Sequence, residues 1–344
     1  MSANELSPIL GNYLSQMELE ELDRFSFTDW MWRAVGGDLD LSMGGIIEGA
    51  LRLFFDEMWR NGALIRQLLL IAILSAFIKC LSDSFQTKSV GEVGFYASYL
   101  LIIATIFTSF RIAAGLLTDL VMQTTGMMEA AVPLMVSLMA MSGNVTGAAV
   151  LNPVLFMGLT IMARFIAYVF IPVITGAAIL HVANHLAEGS TLTKAVDMLK
   201  NGAKLTLKFM VFLFLALLTL QRVSAPIINN LALRTARAAA GAVPVVGGAL
   251  NSAMETVVHL STAARSGVLV ALVIVICAAV AVPLIKLLSF VFIYKLVAAL
   301  IQPICDERIV KCLDGLGDYI GLLLGAGVLV SVMFIFTCVI MLSF

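Results

Sequence analysis

From about residue 63 onward the chain alternates long apolar runs with short polar breaks. A run of about 18 or more apolar residues is long enough to cross a bilayer as a helix. Leu64 to Leu81, Val93 to Leu117, Leu205 to Leu220 and Tyr319 to Phe344 each read as one span. Thr118 to Met141 is apolar but punctuated by Thr124, Thr125, Gly126, Glu129 and Pro133, and reads as a span or a broken helix. Ser142, Gly143 and Asn144 mark a turn. Ala148 to Leu186 is long enough for two spans or one kinked pair, with Pro153 at a helix start and Pro172 at a kink or break. Val268 to Ile285 and Leu287 to Ile301 read as two further spans parted by Pro283 and Lys286. The pattern predicts an all-α fold, a polytopic integral membrane helix bundle of about 7–8 spans.

Residues 1–62 differ from the rest and form an amphipathic or interfacial region, ahead of a polytopic membrane domain over 63–344. Ile46 to Trp59 places Leu51, Phe54, Phe55 and Met58 on one helical face, with Arg52, Asp56 and Glu57 opposite. Such a helix lies on the membrane surface or against the bundle. Trp30, Trp32 and Trp59 are the only tryptophans, and tryptophan favours the membrane–water boundary. Met1 to Glu21 has neither a basic n-region nor an apolar h-region, so no secretory signal peptide is expected there. Lys194, Lys200, Lys204 and Lys208 lie beside a span and argue for the cytoplasmic side. The Arg-bearing stretch 221–265 competes for that side, and the orientation stays open between them.

Composition narrows the function classes. Hydrophobic residues make up 61% of the chain and charged residues 12%, against about 25% charged in soluble domains; mean hydropathy is +1.03. The bilayer is therefore the first expected partner. No basic patch with interleaved aromatics occurs, which argues against nucleic acid. Cys305 and Cys312 share a loop, but their spacing matches no zinc or redox motif. His181 and His185 sit four residues apart on one helix face, yet a metalloprotease helix needs Glu directly after the first His, where this chain has Val182. Glu188 is the only local third ligand. There is no phosphate-binding Walker loop and no nucleophile elbow. The expectation is a protein that is not an enzyme and holds no metal or cofactor, with any ATP hydrolysis supplied by another subunit.

Pro226 to Arg265 is the most informative stretch. It reads as two short helices around Pro244, Gly247 and Gly248. Asn230, Arg234 and Arg237 make a polar stripe on the first, and Asn251, Glu255 and His259 on the second. A 15-residue helix is only about 22 Å long, too short for a ~30 Å hydrocarbon core. The segment is then either a re-entrant, pore-lining or gating hairpin, or a pair of interfacial helices joined by a turn. Lys295 falls nearer mid-helix than Lys286, and either snorkels or serves an interior role. Gly317, Gly321 and Gly325 recur every four residues, a small-xxx-small pattern suited to close helix contact within the chain or between subunits. Arg111, Glu129 and Arg164 are further intramembrane charges; pairing Glu129 with Arg111 or Arg164 lowers the cost of burial.

The strings Leu233-Arg234-Thr235-Ala236, Val243-Pro244-Val245-Val246-Gly247-Gly248, Met254-Glu255-Thr256-Val257, Ile293-Tyr294-Lys295-Leu296-Val297-Ala298-Ala299 with Gln302-Pro303, and Cys312-Leu313-Asp314 stand in an order that resembles the stage III sporulation protein AE family of endospore-forming bacteria. The resemblance covers roughly residues 60–344. It implies a multi-pass protein of the mother-cell membrane around the forespore. There it implies a membrane-embedded, channel- or permease-like subunit of a secretion-like transport complex. The implied partners are the other subunits, including a cytoplasmic ATPase and ring-forming proteins, with further copies of the chain in a homo-oligomer. A non-conducting membrane scaffold that docks those subunits is the alternative. The resemblance supplies no catalytic residues and no transported substrate.

Overall fold

The computed structural model of the chain describes residues 43–85, 88–141, 145–186, 192–240, 277 and 280–343. Among them every element is helical: α1 Met43–Arg60, α2 Gly62–Phe85, α3 Lys88–Met141 and α4 Val145–Phe165, which continues through a π-helical turn, Ile166–Phe170, into α5 Ile171–Leu186; then α6 Thr193–Ala240, α7 Val280–Ile301 and α8 Glu307–Ser343. Five stretches of the described residues are long and apolar enough to cross a membrane: Tyr96–Gly126, Leu155–His185, Thr193–Leu220, Val280–Ile301 and Glu307–Phe336. The α1–α2 pair, bent by 48°, adds a sixth when counted as one broken span.

Several expected boundaries are absent, each for a local reason. Thr118 to Met141 is neither a separate span nor a broken helix, because α3 runs through it. The hydroxyls of Thr118, Thr124 and Thr125 donate to the carbonyls of Ala114, Leu120 and Val121 one turn back. Each polar side chain is thereby satisfied inside its own helix. Ala148 to Leu186 makes one span rather than two. Pro172 has no N–H and its ring crowds the carbonyl four residues back. The chain widens into the π turn just before it, where the Ile171 N–H donates to the Ile166 carbonyl, and the helix passes the proline without ending. Pro283 and Lys286 likewise lie inside α7 and part nothing. The first half of the expected Val268 to Ile285 span falls outside the described residues.

α8 is the axis of the bundle: 56% of its span is buried, against 17% for α6, which lies at the edge. α8 packs against α3, α5 and α6, and α2 lies along α3. Gly327 lets three helices meet closely. A Cβ there would come within 3.0 to 3.3 Å of Leu284 of α7 and of Leu117 and Leu120 of α3, and such small residues let membrane helices meet where lipid gives no drive to pack. On α1, Phe54 meets Phe292 of α7 edge-on at 5.6 Å, while Leu51, Phe55 and Trp59 form an exposed apolar stripe. One face thus docks on the bundle and the next is left for lipid.

Candidate functional site

Two helical hairpins meet at one end of the bundle. The α5–α6 tip is tied by Asn184, whose Oδ1 accepts from the Leu192 N–H at 2.9 Å and whose Nδ2 donates to Thr193 at 3.1 Å. In the α7–α8 turn, Asp306 caps the start of α8: its carboxylate accepts from the Arg308 N–H, and its carbonyl from those of Ile309 and Val310. The Sγ of Cys305 then bonds the Ala72 carbonyl of α2.

Just inside these tips lies a cluster of charges from three helices. Lys295 Nζ of α7 sits 2.7 Å from Asp314 Oδ1 and 2.6 Å from Asp318 Oδ1, both on α8. The other oxygen of Asp318 takes Lys200 Nζ of α6 at 2.7 Å. Two lysines thus balance two aspartates, with Asp318 as the bridge. Lys200 also lies 5.8 Å from the centre of the Tyr319 ring, within cation–π range. These side chains are between a quarter and a half exposed, so the cluster lines a furrow rather than a sealed core.

Behind the charges lie His181 of α5 and Tyr319. Their rings are 5.4 Å apart, and the ring of His185 is 4.4 Å from that of His181. His185 Nδ1 is bonded to the His181 carbonyl at 2.8 Å. Among the described residues, the buried His181 Nε2 and Tyr319 hydroxyl have no hydrogen-bond partner. Unpaired polar atoms are costly at such depth. Two glycines shape it. A Cβ on Gly315 would collide with the His181 ring, and one on Gly317 would press the Lys295 stem at 3.1 Å.

The sequence-predicted residues fare differently. Lys295 is in the cluster, paired across the hairpin. Of the glycine ridge, an added Cβ would press Lys295 at Gly317 and come within 3.5 Å of Leu207 at Gly325, whereas at Gly321 it would meet nothing within 4 Å; among the described residues the three do not form one contact surface. Asn230, Arg234 and Arg237 lie on the backbone of α6, which is unbroken from Thr193 to Ala240. They belong to the continuation of a span, not to a separate short helix beginning at Pro226. Pro244, Gly247, Gly248, Asn251, Glu255 and His259 lie outside the described residues. Glu129 takes Arg164, at 3.5 Å, of its two possible partners. Among the described residues no three His, Cys, Asp or Glu side chains come together to hold a metal.

Lys200, Asp314, Asp318 and Tyr319 were missed as a site, and the signal for them was present. Asp314 and Asp318 are four apart and share a face. Lys295 and Asp314 stand nine and ten positions either side of Ile304 in the turn, so a tight hairpin must bring them level.

Apolar helices around a charged furrow define the class: an α-helical integral membrane protein with a polar site inside its bundle. The sequence comparisons specify it further. The profile of the family described as Stage III sporulation protein AE matches residues 25–344. A relative from Bacillus subtilis (strain 168), described as Stage III sporulation protein AE, is 30% identical over 302 residues, covering 87% of this chain and 75% of that one. The chain belongs to the stage III sporulation protein AE family. No solved structure matches it.

Proposed function

We propose that the protein is a channel- or permease-like subunit embedded in the mother-cell membrane, within the transport complex that joins mother cell and forespore. It works without catalytic residues of its own, beside an ATPase and ring-forming partners that supply energy and a conduit, and several copies assemble together. The observation that carries this reading is the charged furrow. Membrane-spanning helices rarely carry ionisable groups, and those that do use them inside a bundle or on a water-filled path. Here Lys200, Lys295, Asp314 and Asp318 converge from three spans beside two buried, unpaired polar atoms.

A scaffold reading has its own support in α6. Its span ends at Leu220 and the helix runs on to Ala240, about 30 Å further at ~1.5 Å per residue. An arm of that length suits docking of a neighbouring subunit.

One experiment separates the two. Single cysteines replace Lys200, Asp314 and Gly321 in a background without the native cysteines, in sealed vesicles carrying the assembled complex. For a conducting subunit, a membrane-impermeant maleimide reaches Lys200→Cys and Asp314→Cys more than tenfold faster than Gly321→Cys, and the modification blocks solute passage. Labelling that leaves passage untouched, together with loss of assembly when α6 is cut after Leu220, establishes the scaffold.

A further inference from the structure

A second polar feature lies on the other side of α7, where α2 and α3 enclose a cleft of about 350 Å³. One wall is apolar, with Leu64, Ile112 and Phe290. The other carries Asn61, Gln67, Thr105, Thr108 and Ser109. Among the described residues, none that lines the cleft is ionisable. Its α3 wall lies within the Tyr96–Gly126 span, and Asn61 is the break between α1 and α2, so these polar groups face a cavity at membrane depth. Arg111, on the same stretch of α3, is exposed and does not line it.

The hydrogen-bond inventory of that wall is lopsided. Thr105 and Thr108 spend their protons on the carbonyls of Leu101 and Ala104, and Ser109 spends its own on that of Thr105 or Ile106. The Tyr294 hydroxyl, bonded to Ser109, then acts as donor to it. Asn61 Nδ2 donates to the carbonyl and the carboxylate of Glu57, at 3.0 and 2.9 Å. Gln67 Nε2 gives one proton to Thr105 Oγ1 at 3.1 Å. What is left over is one N–H of Gln67 against the carbonyl oxygens of Asn61 and Gln67 and lone pairs of the hydroxyls. The wall accepts hydrogen bonds and scarcely donates them. A ligand that fits must bring donors; the nearest carboxylate, Glu57 behind Asn61, is already faced by Arg60 at 3.9 Å, so no charge on the wall is left to balance a charged ligand and a neutral one is favoured. Alcohol hydroxyls meet both requirements, and the apolar wall suits a chain attached to them.

We propose that this cleft binds the hydroxyl end of an uncharged amphiphile, a neutral glycerolipid such as diacylglycerol, or a free polyol presenting the same chemistry. It is separate from the charged furrow and stands or falls independently of the transport reading.

The test uses the full chain in phosphatidylcholine nanodiscs with a diazirine-bearing diacylglycerol, and a diazirine-bearing phosphatidylglycerol as the anionic comparison. Diacylglycerol labelling is expected to concentrate at least fivefold on the peptides spanning 61–71 and 101–112. Unlabelled diacylglycerol should compete it away. Thr108→Val, an isosteric change at an exposed position whose hydroxyl bonds only its own helix, and Gln67→Leu should each reduce labelling at least fivefold while thermal unfolding stays in place. Competition by millimolar glycerol as well assigns the site to a free polyol; competition by diacylglycerol alone assigns it to the lipid. Labelling spread evenly over the lipid-facing surface, labelling unchanged in both variants, or preference for phosphatidylglycerol would overturn the proposal.

Discussion

Gly315 and Gly321 stand about one and two-thirds turns apart on α8 and illustrate how differently the same residue type is used. At Gly315 an added methyl would overlap the ring of buried His181, while at Gly321 it would meet nothing within 4 Å among the described residues. His181 cannot simply rotate away, since it is held between His185 and Tyr319. Overpacking a fitted interior costs about 1–3 kcal/mol, whereas Gly→Ala in an open helical position gains up to about 1 kcal/mol. We expect Gly315→Ala to unfold earlier than the parent in detergent by scanning fluorimetry, and Gly321→Ala at the same temperature or later. Equal behaviour of the two would show that His181 is not seated against α8. Among the described residues a Cβ on Gly321 meets nothing within 4 Å, so a loss of assembly in Gly321→Leu would report a contact made outside these helices.

At the scale of elements, Asp318 joins three helices and Asp314 only two. Asp318→Asn removes a partner from both Lys200 and Lys295, while Asp314→Asn leaves Lys295 paired with Asp318. Both carboxylates are more than a third exposed, so each pair is valued within the range of exposed ion pairs, about 0.2–1 kcal/mol. Asp318→Asn should therefore cost roughly twice as much as Asp314→Asn, and at most about 2 kcal/mol; a double-mutant cycle of Lys200→Met with Asp318→Asn isolates the α6–α8 share. Losses of the same size for both aspartates would refute the three-helix arrangement. The elements themselves were legible in the sequence because apolar runs of spanning length leave little choice, and the amphipathic Ile46 to Trp59 stands out by its moment. The breaks were not. Threonines that bond back within α3 look polar on paper and are satisfied in place, and a π turn can carry a helix past Pro172. The furrow was half legible: Lys295 declares itself as a charge in an apolar helix, whereas Lys200 looked like one of several loop lysines. Nothing local reveals that α6 lies beside α8.

The whole molecule is constrained by how the two hairpin tips coincide. α5 ends and α6 begins at Asn184, Leu192 and Thr193; α7 ends and α8 begins across 302–306. Lys200 to Asp318 and His181 to Tyr319 bind the two tips into one end of the bundle. Both tips must then face the same compartment. Orientation follows from basic residues rather than acidic ones. Near this end stand Lys194, Lys200, Lys204, Lys295, Arg308 and Lys311, against Lys286 in the far third of α7 and Arg222, Arg234 and Arg237 past the far end of the α6 span. On the positive-inside rule this excess predicts that the tips face the cytoplasm. In a background lacking native cysteines, Lys194→Cys and Glu307→Cys should react with an impermeant maleimide only when the cytoplasmic face is open, and Thr219→Cys, at the other end of the α6 span, only from the opposite face. Reaction of all three from outside the cell would reverse the orientation and keep the fold. Reaction of Lys194→Cys and Glu307→Cys from different faces is incompatible with a shared end, and with it the charged furrow could not exist.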